Sequence, residues 1–161
     1  MPGRLIGIAR RDARRAPMEL IERGRITIEA GLEGDWRGPK HEARRITVIT
    51  REGFDAARAE LPADAAGLPW TARRANLLVE GVRLPHVIGG VLQVGPVILE
   101  ITGETAPCGR MDEAYPGLLK ALHPDWRGGV SCRVIEGGDI ALGDSVEILI
   151  APEERVRTLP G

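Results

Sequence analysis

The sequence predicts a mostly β fold: a small closed or nearly closed β-barrel with a few short peripheral helices. Three observations carry this. Short apolar runs bounded by Gly and Pro recur along all 161 residues, as many short strands require. Twenty-one glycines and 12 prolines make the chain too turn-rich for a helical bundle. Finally, residues 89–99 have a degenerate copy at residues 137–147: a Gly pair, a short strand, a further Gly, then a longer strand. That further Gly (Gly95, Gly143) supplies the positive φ of a two-residue hairpin. Two equivalent hairpins in a chain this size suggest a sheet closed on itself, which leaves no open edge.

Strands are expected at residues 4–9, 18–22, 25–29, 45–50, 76–80, 91–94, 97–102, 130–136 and 145–150. In the third, Ile26 and Ile28 share one face while Arg25, Thr27 and Glu29 take the other, the alternation of a half-buried strand. A helix fits residues 51–61, with Thr50 as N-cap and Glu52 in the first turn, where the helix dipole favours an anion. Phe54, Ala57 and Leu61 then fall on one face, and Pro62 ends it. A second helical zone covers residues 110–122. Pro116 breaks it into two short pieces, with Leu118, Leu119 and Leu122 facing inward. Residues 61–69 and the tail after Ala151 read as surface connections. No composition shift marks a boundary between domains, so residues 3–150 form one domain and 151–161 a tail.

Apolar residues make up 43% and charged residues 28%, the balance of a soluble globular chain. A net charge of -1 gives no dominant basic field, so no nucleic-acid partner is expected. Apolar runs are only strand-length, so no membrane partner is expected either. Residues 5–9 are too short for a signal-peptide core. Two cysteines build no disulfide framework, and a cytoplasmic protein with reduced thiols is the simplest expectation. Lys40 and Lys120 are the only lysines, which leaves 20 arginines. Guanidinium suits planar, bidentate grip on phosphate or carboxylate, although a GC-rich genome would give the same bias.

Cys108 stands between the end of an expected strand and the start of the second helical zone. The helix dipole and Arg110 both favour a thiolate there; the bland alternative is a small hydrophobe in a packed loop. Cys132 alternates onto the face of Val130 and Val134 and reads as core, although it could resolve an oxidised Cys108 if the sulfurs were adjacent. His41, His86 and His123 are scattered. No CxxC, HExxH or EF-hand pattern occurs, so neither zinc nor calcium is expected. Walker, GxGxxG and GxSxG patterns are missing too. What remains is one candidate thiolate plus Arg44-Arg45, Arg73-Arg74 and Arg133. Grouped in space these arginines would form an anion pocket; singly they would be solvated surface.

Taken in order, Gly31-Leu32-Glu33-Gly34-Asp35, Arg45-Ile46-Thr47-Val48-Ile49 and Arg74-Ala75-Asn76-Leu77-Leu78-Val79-Glu80-Gly81 resemble MOSC domains, named for the C-terminal domain of molybdenum cofactor sulfurases. Gly95, Pro107-Cys108, Gly128-Gly129-Val130 and Gly137-Gly138 through Gly143-Asp144 extend the match over residues 3–150. The resemblance implies a barrel related to the β-domain of pyruvate kinase. It also implies binding of molybdenum cofactor, or carriage of sulfane sulfur, through Cys108 as nucleophile or metal ligand. Arg45, Arg74, Asn76, Asp35, Arg110 and Arg133 are the candidate cofactor-binding residues, since a pterin phosphate needs such donors. One departure is that a stretch often read Gly-Glu-Asn-Leu is Arg74-Ala75-Asn76-Leu77 here. The other is that no desulfurase domain accompanies the barrel, so a separate cysteine desulfurase is the expected sulfur donor, with a small molecule or cofactor as acceptor. Pyridoxal phosphate is not expected, with only Lys40 and Lys120 to form a Schiff base. Three functions stay open: a sulfur carrier, a molybdenum oxidoreductase reducing N-hydroxylated compounds, and a non-enzymatic cofactor-binding module.

Overall fold

β-branched and leucine-rich runs form eleven strands in the computed structural model, which describes residues 2–105 and 108–154. In chain order these are β1 (Gly3–Arg10), β2 (Glu19–Ile21), β3 (Arg23–Thr27), β4 (Gly31–Leu32), β5 (Ile46–Thr50), β6 (Leu77–Glu80), β7 (Val91–Val94), β8 (Val97–Glu104), β9 (Val130–Glu136), β10 (Gly138–Ala141) and β11 (Ser145–Ile150). Three short helices accompany them: α1 (Arg51–Ala59), α2 (Arg110–Ala114) and α3 (Leu118–Leu122). Seven strands pair in the order β11-β7-β8-β9-β5-β6-β1, and β1 returns to β11, which closes the barrel. β2 hangs on the outer side of β1 through the Ile8–Ile21 register. Every pairing in the ring is antiparallel except β5 with β6, whose intervening segment carries α1.

Closure buries one continuous core. Leu5, Ile46, Val48, Leu77, Leu92, Leu99, Ile101, Val130, Cys132 and Val146 all fill it. A smaller sheet, β10-β3-β4, packs Ile26, Leu32 and Ile140 into the same core. A second apolar cluster lies outside the barrel wall, where Phe54 and Ala57 of α1, Met111 of α2 and Leu118 and Leu122 of α3 cover Ile49 and Leu78. Thr50 caps α1 as expected, its hydroxyl accepting from Gly53 N at 3.0 Å. Pro116 separates α2 from α3, and Leu118 and Leu122 are buried, while Leu119 is half-buried.

The repeat reads correctly for composition and only half correctly for pairing. β7 and β8 do form a hairpin about Gly95, at φ 55°. β10 and β11 do not pair with each other, although Gly143 takes φ 94°. β10 instead pairs with β3, from Gly138–Ile26 to Ala141–Arg23. The turn between β10 and β11 bonds to β1, with Gly143 N donating to Leu5 O and Leu5 N to Asp144 O. The physical reason is that the barrel's last strand must reach both β7 and β1, which pulls β11 away from β10. Of the tail, Glu154 is fixed by Arg83 at 2.7 Å and by the backbone N of His86 at 2.8 Å. Residues 155–161 lie outside the described residues, as does Pro107 of the candidate motif.

Candidate functional site

Side by side in the wall, β6, β5, β9 and β8 bring Asn76 next to Thr47, Thr47 opposite Ser131, and Ser131 opposite the end of β8, and the segments around them close in from β1, the β4–β5 connection and α2. There they surround a cavity of about 290 Å³. Arg11, Asp35, Arg37, Arg44, Thr47, Arg73, Arg74, Asn76, Glu104, Thr105, Cys108, Arg110, Met111 and Ser131 line it. Six arginines therefore face two carboxylates. Among the described residues none of those six arginines is in an ion pair. Unneutralised guanidinium groups converging on a concave surface make a site for an anion.

Asn76 and Asp35 build the walls. The Asn76 side-chain oxygen accepts from Thr47 N at 3.0 Å and from the Thr47 hydroxyl at 3.2 Å. Its amide nitrogen donates to Ala9 O at 3.3 Å. One side chain thereby ties β1, β5 and the start of β6 together. Asp35 accepts from Arg11 N at 3.2 Å and from Gly38 N at 3.3 Å, holding its loop against the end of β1. Both residues are buried. Their polar groups are largely spent on the backbone, so they shape the cavity more than they offer it new donors.

Arg73 is buried and clamps the cysteine loop. Its Nε donates to Gly128 O at 2.8 Å and an Nη to Thr105 O at 3.0 Å. Burial lowers its pKa to about 10, and the nearby Cys108 and Glu104 oppose that fall. Arg11 is also held down to about 10, first by burial and then by Arg74 and Arg37. Arg74 is lowered too, by burial and by Arg110 and Arg37. These cations line one cavity, and all stay protonated at neutral pH. Arg74 is unusual in backbone as well, with φ 62°. A left-handed conformation costs an L residue about 1–2 kcal/mol, and here it ends the turn Trp70–Arg73, with Arg74 N donating to Thr71 O at 2.9 Å. Its Nη2 donates to Ala16 O at 2.6 Å, whereas its Nε is buried without a partner.

Cys108 is exposed and Cys132 buried, both as free thiols. Burial pushes the Cys132 thiol far above its ordinary range, so it stays protonated. α2 has only five residues, so the positive surroundings of Cys108 come chiefly from the arginines rather than from a helix dipole.

Of the sequence candidates, Cys108, Arg74, Asn76, Asp35 and Arg110 share this cavity, and Arg45 and Arg133 do not. Arg45 spends its Nε on Ile28 O at 2.8 Å and an Nη on Gly38 O at 2.7 Å, pinning the loop beside β3. Arg133 points outward from β9 and pairs with Glu100 and Glu42. The neighbours Arg44 and Arg73 face the cavity instead. Arg11 and Arg37 were missed altogether. Arg11 directly follows β1, and it is the pairing of β1 with β6, not any local pattern, that brings it beside Arg74 and Asn76.

Solved structures share this fold. The YuaD protein from Bacillus subtilis superposes with a TM-score of 0.73 at 19% identity, covering 92% of this chain and 96% of that one. YiiM from Escherichia coli gives a TM-score of 0.70 at 18% identity, over 94% of this chain and 72% of that one. YiiM from Geobacillus stearothermophilus gives 0.70 at 17% identity, over 92% and 76%. No curated protein matches the sequence. The MOSC domain model matches residues 35–147, which takes in every lining segment except Arg11. The chain belongs to the MOSC domain family.

Proposed function

We propose that this MOSC protein is a sulfur carrier: Cys108 takes up sulfane sulfur as a persulfide and hands it to an anionic acceptor held among the arginines. The observation that carries this reading is an exposed thiol opening onto a cavity with six arginines and two carboxylates. The cationic surroundings draw an anionic sulfur donor or acceptor toward the thiol. In the loading step the Cys108 thiolate attacks the outer sulfur of a donor persulfide. A new S–S bond forms, the donor S–S bond breaks, and the donor leaves as a thiolate. Delivery reverses the roles, with Cys108 as leaving group, and no oxidant is consumed. A separate cysteine desulfurase is the fitting donor, and the cytoplasm, where thiols stay reduced, the fitting compartment.

A second reading uses the same cavity. The buried, unpartnered Nε of Arg74 and the surplus of guanidinium donors fit the phosphate of a molybdenum cofactor. Arg11, Arg37, Arg74 and Arg110 would hold the anionic group, and Cys108 would be the one soft ligand to the metal. When bound, such a cofactor supplies a redox-active metal for reducing N-hydroxylated compounds.

Protein purified from a molybdenum-replete host separates the two readings. A sulfur carrier gives metal-free protein that gains cyanide-labile sulfur from a persulfide donor, mapped by mass spectrometry to Cys108 and missing in Cys108→Ser. Stoichiometric molybdenum with pterin fluorescence, and no sulfur on Cys108, would overturn the carrier reading in favour of the second.

A further inference from the structure

Past the last residues of β5 and β6 lies a separate cavity of about 430 Å³, which shares no lining residue with the Cys108 cavity. Glu52 lines it from the segment after β5, Val82, Arg83 and His86 from the segment after β6, and Asp125 and Trp126 from the segment ahead of β9. Its aromatic wall is fixed. The His86 and Trp126 rings stack with centroids 5.2 Å apart and planes 10° from parallel. His86 Nδ1 accepts from an Arg83 Nη at 3.3 Å. Burial, and then Arg83, lower the His86 pKa, so the ring is uncharged at neutral pH. Asp125 and Trp126 both take φ 51°, a left-handed conformation that is uncommon for L residues and rarer still for a bulky one. Strain of this kind persists where the surroundings enforce it, and it collects at ligand sites.

The charges of this cavity do not cancel. Arg83 is taken by Glu154 through two contacts, at 2.7 and 3.0 Å, and Arg127, which also lines the cavity, by Glu60 at 2.8 Å. Both cations are thus already neutralised. Among the described residues Glu52 and Asp125 are in no ion pair. Glu52 spends one oxygen on Gly81 N at 2.8 Å. Two uncompensated carboxylates beside an uncharged aromatic wall favour a cation, and the volume is that of a small-molecule site. The preference is opposite in sign to that of the arginine-lined cavity.

We propose that this cavity binds a small organic cation, a protonated amine carried on a flat aromatic body, with Glu52 and Asp125 taking the ammonium group and Trp126 and His86 the ring. The site is independent of the sulfur-carrier reading, since the two cavities have no residue in common.

Calorimetric titration of the full chain with phenethylamine and with its uncharged counterpart, phenethyl alcohol, at matched ionic strength, tests this. Wild type should bind the amine about tenfold or more tightly than the alcohol, the scale of one charge-assisted hydrogen bond. Asp125→Asn suits the left-handed backbone, and Glu52→Gln keeps an oxygen for Gly81 N. Each should lower amine affinity about fivefold and leave alcohol affinity unchanged. Trp126→Leu should weaken both probes, with its fold verified by thermal melting. Equal affinity of wild type for amine and alcohol, or no binding of the amine, would overturn the proposal. So would a double variant, Asp125→Asn with Glu52→Gln, that keeps the full preference for the amine.

Discussion

Two cysteines in one small barrel have opposite chemistry because one faces solvent and the other faces Val130 and Val134. Native protein should alkylate at Cys108 alone, with Cys132 reacting only after denaturation, as peptide mapping will show. Cys132→Ser places a hydroxyl in an apolar interior with no partner provided, and should lower stability by about 1–3 kcal/mol while sulfur loading persists in the folded fraction. Labelling of Cys132 ahead of Cys108 in native protein would reverse the assignment. Asn76 makes a prediction of another kind. Asn76→Ala removes the acceptor for Thr47 N and the donor to Ala9 O in a buried setting. It should cost about 2–4 kcal/mol in denaturant unfolding, far more than a ligand-contacting surface residue would. A loss under about 0.5 kcal/mol would show that the strand ends hold without it.

Among the elements, the loop from the end of β8 through Cys108 to α2 is held at its base by Arg73 and by Thr105 N donating to Gly129 O at 2.9 Å. Gly129 is the tighter constraint. It takes φ 92°, and a Cβ there would sit 2.2 Å from Val48 O. Gly129→Ala should therefore destabilise the chain by about 2–4 kcal/mol and displace the start of β9, where Ser131 lines the site. A thermal melt within a degree or so of wild type would contradict this. Such pairings explain what was legible in the sequence. Strand alternation and Gly-bounded runs gave β7, β9 and β11 to the residue, because local pattern decides where such strands begin and end. β10 joined β3 rather than β11 because partner choice depends on barrel closure, which no local pattern encodes. The same applies to the arginine pairs: sequence placed cations near strand starts, but which of Arg44 and Arg45 turns inward depends on the carbonyls of Ile28 and Gly38 that capture Arg45.

At the scale of the whole molecule, closure of the ring brings residues 11, 37, 44, 73, 74 and 110 around one cavity. The barrel was legible, and the family pattern pointed to Cys108, Arg74 and Asn76; a basin assembled from five separate loops and strand ends was not. Its unneutralised arginines repel one another. Phosphate should therefore raise the melting temperature more than chloride does at equal ionic strength, and equal effects of the two salts would argue against a built anion site. The far end of the chain titrates separately. Arg83 and the His86 backbone hold Glu154 down to about 2. A depressed carboxylate stabilises the fold above its ordinary pKa, and that contribution is lost as pH falls from about 4.5 toward 2. Because the pair is largely solvent-exposed, Glu154→Gln should cost under about 1 kcal/mol at neutral pH, and the melting curves of variant and wild type should converge near pH 2.

The central claim is that Cys108 and the arginines form one site, and charge-selective alkylation reads this directly. At low salt, Cys108 should react with anionic iodoacetate several-fold faster, relative to neutral iodoacetamide, than a free small-molecule thiol does. Phosphate and added salt should both erase that preference, since the guanidinium field concentrates the anion and is screened or occupied by its competitors. An iodoacetate-to-iodoacetamide ratio equal to that of the free thiol, and unmoved by phosphate, would contradict the account.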